Sequence, residues 1–375
     1  MARKVTGLLP AFGRTHAAKG AAGRPGVWLS PNAAGSGAAD YLVLIGDQFG
    51  RVIGEMQGEV QGVAWKLNDY GQARFTLGRA DAAATEEMLR PGNRVLVQFG
   101  NGLPDWGGML DLPLRFRSGR IELTAYSGER ILADRITGRG RYFSNMTAGE
   151  IFRALLNEAA PSGVEVGDVW TGGELHGPDY HYRQLYDVYS RSLSGRIEDA
   201  DWGVSARLAS GRIAFRANFY ERRGVDHGRR LALIDGVNMA EGDLNYQGTL
   251  VNEWSFAGAG TGWGESNRIY AGARDEASIA KYGLRQRGEI RVDVSVQETL
   301  DRSAAVALAG SREPRGIIDP VALDRAPARF WQYDVGDRIR VEMYEVGFGD
   351  GYEATVRVTA REFLPATGVC SLVVE

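Results

Sequence analysis

A short stretch, Gly92-Asn93-Arg94-Val95-Leu96-Val97, returns later in the chain as Gly336-Asp337-Arg338-Ile339-Arg340-Val341. In each copy a Gly-Asn or Gly-Asp turn launches an alternating apolar run, the pattern of a strand with one buried face. Val95, Val97 and Phe99 fall opposite Ile339, Val341 and Met343, so the predicted inward faces match. The sequence downstream repeats as well. Trp106 to Phe116, a Ser118-Gly119 turn and Arg120 to Ser127 predict a hairpin; Tyr352 to Phe363, Thr367-Gly368 and Val369 to Val374 predict another. The chain is read as using one β-module twice.

With 375 residues there is room for two or three such units, each with its own core. Formal net charge is −3, which argues against a surface devoted to nucleic acid, where a basic excess is expected. Lysine occurs only at Lys4, Lys19, Lys66 and Lys281, so the positive charge is nearly all arginine. Cys370 is the sole cysteine, which excludes an intramolecular disulfide and a cysteine-based metal site. It lies in an apolar run and is expected to be a small buried hydrophobe. No 18-residue apolar segment is present, and Leu8-Leu9 is too short for a signal peptide. The protein is expected to stay where it is made or to travel inside an assembly.

Residues 1–40 hold 17 Ala or Gly and show no period, so alone they cannot offset their ordering entropy. They are expected to be an extended arm held by other chains, anchored by Leu8, Leu9, Phe12, Val27, Trp28 and Leu29. Residues 41–130 form the first strand-rich unit. Tyr41–Ile45 and Arg51–Met56 predict one hairpin, Val63–Leu67 and Gln72–Leu77 another, and Asp81–Leu89 a short helix before Pro91-Gly92. Residues 131–242 change character. Thr147-Ala148-Gly149-Glu150 is a capping box opening a helix that runs to Pro161, Leu185–Leu193 gives a second helical stripe, and Trp202–Leu208 with Arg212–Phe219 predicts a hairpin. This is an α/β insertion. Residues 243–375 return to strands: Thr249–Ala257, Asn267–Ala273 and Gly288–Val296 precede a helix at Gln297–Ala309, the repeat and the last hairpin. The fold class is β-rich α+β.

The search for chemistry returns little. Gly258-Ala259-Gly260-Thr261-Gly262-Trp263-Gly264 follows a strand but has Trp263 where a dinucleotide loop needs its third glycine, and it lacks the Lys-Ser/Thr of a phosphate loop. His176, Asp179 and His181 could ligate a metal, yet no second cluster completes the set. Glu86-Glu87, Glu198-Asp199-Asp201 and Glu241-Asp243 offer carboxylates of the kind a glycosidase needs, all in exposed-looking turns and helix ends. Thr147 of Asn145-Met146-Thr147 is better explained as a helix cap than as a glycosylation acceptor. No nucleophile motif occurs. Neither a catalytic site, a metal nor a cofactor is expected.

Trp65-Lys66-Leu67-Asn68-Asp69-Tyr70-Gly71-Gln72-Ala73-Arg74-Phe75 comes first, followed by Pro91-Gly92-Asn93-Arg94-Val95, Trp106-Gly107-Gly108 and Ala125-Tyr126-Ser127. The helix start Thr147-Ala148-Gly149-Glu150-Ile151, then Tyr282-Gly283-Leu284-Arg285, then Tyr333-Asp334-Val335-Gly336-Asp337 complete the order. Over roughly residues 41–375 this arrangement resembles the tail hub (baseplate hub) proteins of tailed phages, including actinobacterial-phage minor tail proteins of that type. The resemblance implies two tandem tail-tube-like β-barrels with an α/β insertion. It further implies a homotrimer whose six barrels form a pseudo-sixfold ring in the virion, at the tail tip, assembled in the host cytoplasm. The implied partners are the tail tube or distal tail protein ring, tip or spike proteins and the tape measure protein, with DNA only in transit through the lumen. Relatives often carry hydrolase or receptor-binding extensions; with Glu375 directly after the last strand, no such activity is expected here. An alternative reading is a receptor- or carbohydrate-binding tip protein, using Trp106, Trp170, Trp202 and Trp263 as stacking faces.

Overall fold

The computed structural model describes residues 41–375 except 101, 162, 243, 261–267, 292–293, 345 and 347–350. The anchors expected in the N-terminal arm, Leu8, Leu9, Phe12, Val27, Trp28 and Leu29, lie outside the described residues, as does Trp263. The chain is strand-rich and built on one large, mostly antiparallel sheet.

Its first part comprises β1 (Tyr41–Gly46), β2 (Val52–Met56), β3 (Glu59–Lys66), β4 (Gln72–Gly78), β5 (Arg94–Phe99), β6 (Trp106–Arg117) and β7 (Arg120–Ser127). All three hairpins expected here are present: β1 with β2, β3 with β4, and β6 with β7. Alternation along β4 and β7 sends Ala73, Phe75, Leu77, Ile121, Leu123 and Ala125 inward with Val95, Val97 and Trp106. The expected helix at Asp81–Leu89 is instead a run of turns. The Asp81 carboxylate accepts from Ala83 N–H at 2.8 Å and Thr85 Oγ1 from Met88 N–H at 3.2 Å, short-range bonds that compete with the helical ladder.

Next come α1 (Arg130–Ala133), β8 (Arg141–Tyr142), α2 (Ala148–Ala159), β9 (Val164–Val169), β10 (Asp179–Tyr180), α3 (Leu185–Asp187), β11 (Asp201–Ala209) and β12 (Arg212–Tyr220). Thr147 caps α2 with the reciprocal Glu150 bond of a capping box. Ile151, Phe152, Leu155 and Leu156 face Tyr189, Trp202 and Phe219 in a separate core. The second helical stripe is helical, but from Val188 to Ile197 its turns widen into a π-helix.

The last part holds β13 (Ala232–Ile234), β14 (Met239–Glu241), β15 (Leu244–Gln247), β16 (Glu253–Ala257), β17 (Tyr270–Arg274), α4 (Glu276–Tyr282), β18 (Gln286–Ile290), α5 (Gln297–Ala309), β19 (Arg315–Ile318), β20 (Val321–Leu323), β21 (Arg338–Met343), β22 (Tyr352–Leu364) and β23 (Val369–Val374). The strands β16 to β18 make a small sheet covered by α5 through Leu300 and Ala304. Helix α4 is absent from the sequence reading; its Asp275 cap accepts from Ser278 N–H at 2.9 Å.

Neighbour order recurs. In the first part it runs β3-β4-β7-β6-β5-β1, and in the last β14-β20-β23-β22-β21-β13, with each set also in the same chain order. One pair differs: β1 runs antiparallel to β5, whereas β13 runs parallel to β21. The repeated turn is conformationally the same, with Gly92 at φ +93° and Gly336 at φ +96°. Gly92 N–H donates to Leu110 O at 2.8 Å and Gly336 N–H to Val358 O at 2.7 Å, while Leu110 and Val358 N–H return bonds of 2.8 Å to Asn93 O and Asp337 O. The inward faces largely agree: Val95, Val97, Ile339, Val341 and Met343 are buried, while Phe99, opposite Met343, is half-buried. The outward faces do not. In β5, Arg94 and Leu96 are buried too, because Leu96 packs with Ile213 and Phe215 beneath the β11–β12 hairpin.

Candidate functional site

Several buried polar groups come together where the three parts meet, Asp201, Glu129 and Arg361 among them. Asn68, in the β3–β4 turn at φ +56°, donates from Nδ2 to Asp201 Oδ1 at 2.9 Å and accepts from Trp202 N–H at 2.8 Å. Asp201 Oδ2 accepts from Arg223 N–H at 2.7 Å and from the Arg357 guanidinium of β22. Arg357 also donates to Arg223 O at 3.0 Å and Gly336 O at 3.2 Å. One carboxylate thus joins the first β-unit, the insertion and the last. Asp201, expected on an exposed turn, is 3% exposed because it opens β11 under the β3–β4 turn. Removing one partner of such a pair leaves the other charge buried and unmatched, at about 3–5 kcal/mol.

Two further groups complete the junction. Glu129 is buried, accepting from Ser127 Oγ at 2.6 Å and from Val204 N–H at 2.7 Å. Burial lifts its carboxyl above the ordinary value, against those two bonds and the nearby Arg223 charge. Arg361 is fully buried in β22, donating from Nη1 to Tyr333 O at 2.7 Å and Phe330 O at 3.3 Å, with its guanidinium over the Trp65 ring at 4.6 Å. Its Nη2 lies 3.2 Å from Asp334 Oδ1 but without hydrogen-bond geometry. Beside it, β22 pairs with β3, Arg361 opposite Trp65 and Phe363 opposite Val63, which joins the two strand sets into one sheet.

The other singled-out residues are not gathered. His176 Nε2 lies 3.0 Å from Glu198 Oε1, whereas His181 Nε2 lies 2.7 Å from Asp179 Oδ2, so each imidazole pairs with a different carboxylate. Among the described residues no group of three or more His, Cys, Asp or Glu could hold a metal ion. Glu86, Glu87 and Glu241 are exposed, and Asp243 lies outside the described residues. Trp106 and Trp202 are core residues at 1% and 0% exposure, and Trp170 is half-buried against the insertion core, so these three do not form an open stacking face. Cys370 is buried, and burial pushes its thiol up to about 12. Sequence reasoning missed the junction because Asn68, Asp201 and Glu129 look like ordinary turn residues, and Arg357 and Arg361 like ordinary strand positions, until the three parts are folded together.

No family model matches this chain, and no curated protein sequence matches it either. Solved structures do. The 43 kDa tail protein of prophage MuSo2 from Shewanella oneidensis aligns with TM-score 0.59 at 14% identity, covering 89% of this chain and 98% of that one. A tail protein from Neisseria meningitidis MC58 gives TM-score 0.60 at 14% identity, covering 89% and 95%. Prophage tail protein gp18 from Listeria monocytogenes EGD-e gives 0.58 at 12% identity, covering 89% and 94%. With nearly the full length of each neighbour matched at such low identity, what is shared is architecture: this chain has the fold of these phage tail proteins.

Proposed function

We propose that this chain is a structural tail protein and that three copies close into a hub ring at the tail tip. The carrying observation is the recurring strand order, together with the identically bonded Gly92 and Gly336 turns. A chain with two equivalent β-units presents six around a threefold axis, which matches a sixfold tube on one side and threefold tip or spike proteins on the other. In this reading residues 41–130 and 243–375 are two tube-like β-barrels and 131–242 is an insertion, with β13 and β14 joining the second barrel by strand pairing. The junction at Asp201 and Arg357 holds the two barrels in fixed relation, as a ring that transmits tail geometry requires. The extended arm, residues 1–40, lies along neighbouring chains through Leu8, Leu9, Phe12, Val27, Trp28 and Leu29. DNA meets the protein only while passing through the lumen, and no enzymatic step belongs to the chain.

Light scattering on the purified chain, together with class averages of the parent particle, tests this. A mass of three chains and a six-lobed, threefold ring at the tail tip are expected. A different copy number in the particle, or a position away from the tail axis, would overturn the hub. Deleting residues 2–38 should leave melting of the isolated chain unchanged and impair incorporation into tails; normal incorporation would overturn the role of the arm.

A further inference from the structure

A shallow cleft lies between the β1–β2 turn and the insertion, lined by Asp47, Phe49, Arg51, Gly163 and Arg212. Arg51 and Arg212 face each other across an antiparallel bridge. Val52 N–H donates to Gly211 O at 3.0 Å and Ile213 N–H to Gly50 O at 2.7 Å on either side of them. That makes Arg51 and Arg212 a non-hydrogen-bonded pair, the register in which cross-strand side chains come closest. Two like charges directly opposite one another destabilise a sheet. A third guanidinium, that of Arg94, lies under Gly163, donating to Gly163 O at 3.2 Å, Ile213 O at 2.8 Å and Gln48 O at 3.3 Å.

The single carboxylate here is largely committed. Asp47 Oδ1 accepts from Phe49 N–H at 3.0 Å and Arg51 N–H at 2.9 Å, which shapes the turn, and Oδ2 lies 3.4 Å from Arg51 Nε. Arg212 makes no ion pair among the described residues. Burial lowers the Arg94 guanidinium below its ordinary value, Asp47 opposes that fall, and the neighbouring Arg212 charge adds to it. Asp47 is thus engaged by the turn and by Arg51, and Arg212, directly opposite Arg51, is left without a compensating carboxylate among the described residues. Beside them Phe49 is 54% exposed, an aromatic wall at the mouth of the cleft.

We infer that this cleft binds an acidic segment of another polypeptide, with its carboxylate bridging Arg51 and Arg212 and an adjacent apolar side chain against Phe49. Guanidinium forks match carboxylates bidentately, and one carboxylate between two arginines replaces repulsion with two charge-assisted contacts. A nucleic acid needs a row of basic groups tracking a phosphate backbone, whereas this is a local cluster on a chain of net charge −3. The site spans the first β-unit and the insertion, so an occupant also ties those two together. The inference does not depend on the hub assembly proposed above.

The test uses the full chain and a short fluorescein-labelled peptide of alternating Glu and Phe. Anisotropy should rise to saturation, added salt should weaken binding, and Arg51→Gln and Arg212→Gln should each cost about tenfold in affinity or more. Both side chains are on the surface, so the variants fold. Without peptide, Arg212→Gln should melt at or above the parent temperature, and peptide should raise melting of the parent more than of the variant. Absence of binding, equal binding of a Gln-for-Glu peptide, or affinity unaffected by both substitutions would overturn the site. Tighter binding of duplex DNA or of inorganic phosphate than of the peptide would overturn its assignment to an acidic polypeptide.

Discussion

Glu129 is a carboxylate withdrawn from water, and that burial shifts it towards its neutral form in the folded chain against the opposing bonds from Ser127 Oγ and Val204 N–H. In the unfolded chain it titrates near the ordinary 4.5. The folded state therefore binds its proton more tightly, and the contribution to stability is full below the unfolded value and lost as pH rises through the folded one. Glu129→Gln keeps an acceptor for Val204 N–H and removes the titration. The melting temperature of the parent minus that of Glu129→Gln should accordingly decline as pH is raised from the unfolded value towards neutrality. A difference independent of pH would show that burial does not perturb Glu129. Cys370, with its thiol pushed up to about 12 by burial, supplies a second test at this scale. A disulfide reagent at neutral pH should leave it unreacted in the native chain and titrate one thiol per chain in denaturant; rapid native labelling would contradict the packing of β23.

Among the elements, the repeated turn allows one substitution to be compared in two settings. Gly92 and Gly336 have nearly equal positive φ, so alanine carries a similar backbone strain at each, about 1–2 kcal/mol. Space differs. A Cβ on Gly92 meets nothing within 4 Å, whereas one on Gly336 falls 2.6 Å from Arg223 O. In chemical denaturation Gly336→Ala should therefore lose clearly more stability than Gly92→Ala, and equal losses would mean that the Arg223 backbone yields freely. The duplicated turn itself was legible, because Gly-Asn and Gly-Asp before an alternating run encode local geometry. The β6–β7 and β22–β23 hairpins and α5 were legible for the same reason, each carrying its period and its stop signal within its own residues. Asp81–Leu89 misled, since its composition favours a helix while the Asp81 and Thr85 side chains form turns. The buried outer face of β5 was illegible from alternation alone: what covers Leu96 is a hairpin more than a hundred residues away. The junction around Asp201 failed to show for that reason too, its partners Asn68 and Arg357 coming from opposite ends of the chain.

At the scale of the whole molecule, the two strand sets have separate cores, one around Val95 and Phe75 and the other around Ile339 and Phe363. Trp65 and Phe99 pack against both. Phe99 lies 5.9 Å from Trp65 and 5.6 Å from Phe363, and Phe363 lies 5.8 Å from Phe330, which makes an aromatic chain across the β3–β22 seam. Strand pairing at this seam is brief, running from Ala360 opposite Lys66 to Phe363 opposite Val63. Beyond this short backbone pairing, the aromatic chain and the Asp201–Arg357 junction are the side-chain contacts that join the halves. Phe363 is the one to remove, since it is 1% exposed and touches both sides. Phe363→Ala should cost about 3–5 kcal/mol for the lost burial and the cavity left behind. The loss falls on the last β-unit and on the contact that couples it to the first. In calorimetry the parent should therefore unfold with the two strand sets in one transition, and Phe363→Ala should split that transition, with the last unit melting earlier. Leu123→Ala, buried in the first core and away from the seam, is the control: it should lower the transition without dividing it. A parent with two well-separated transitions, or a single undivided transition in Phe363→Ala, would show that the aromatic chain does not couple the halves.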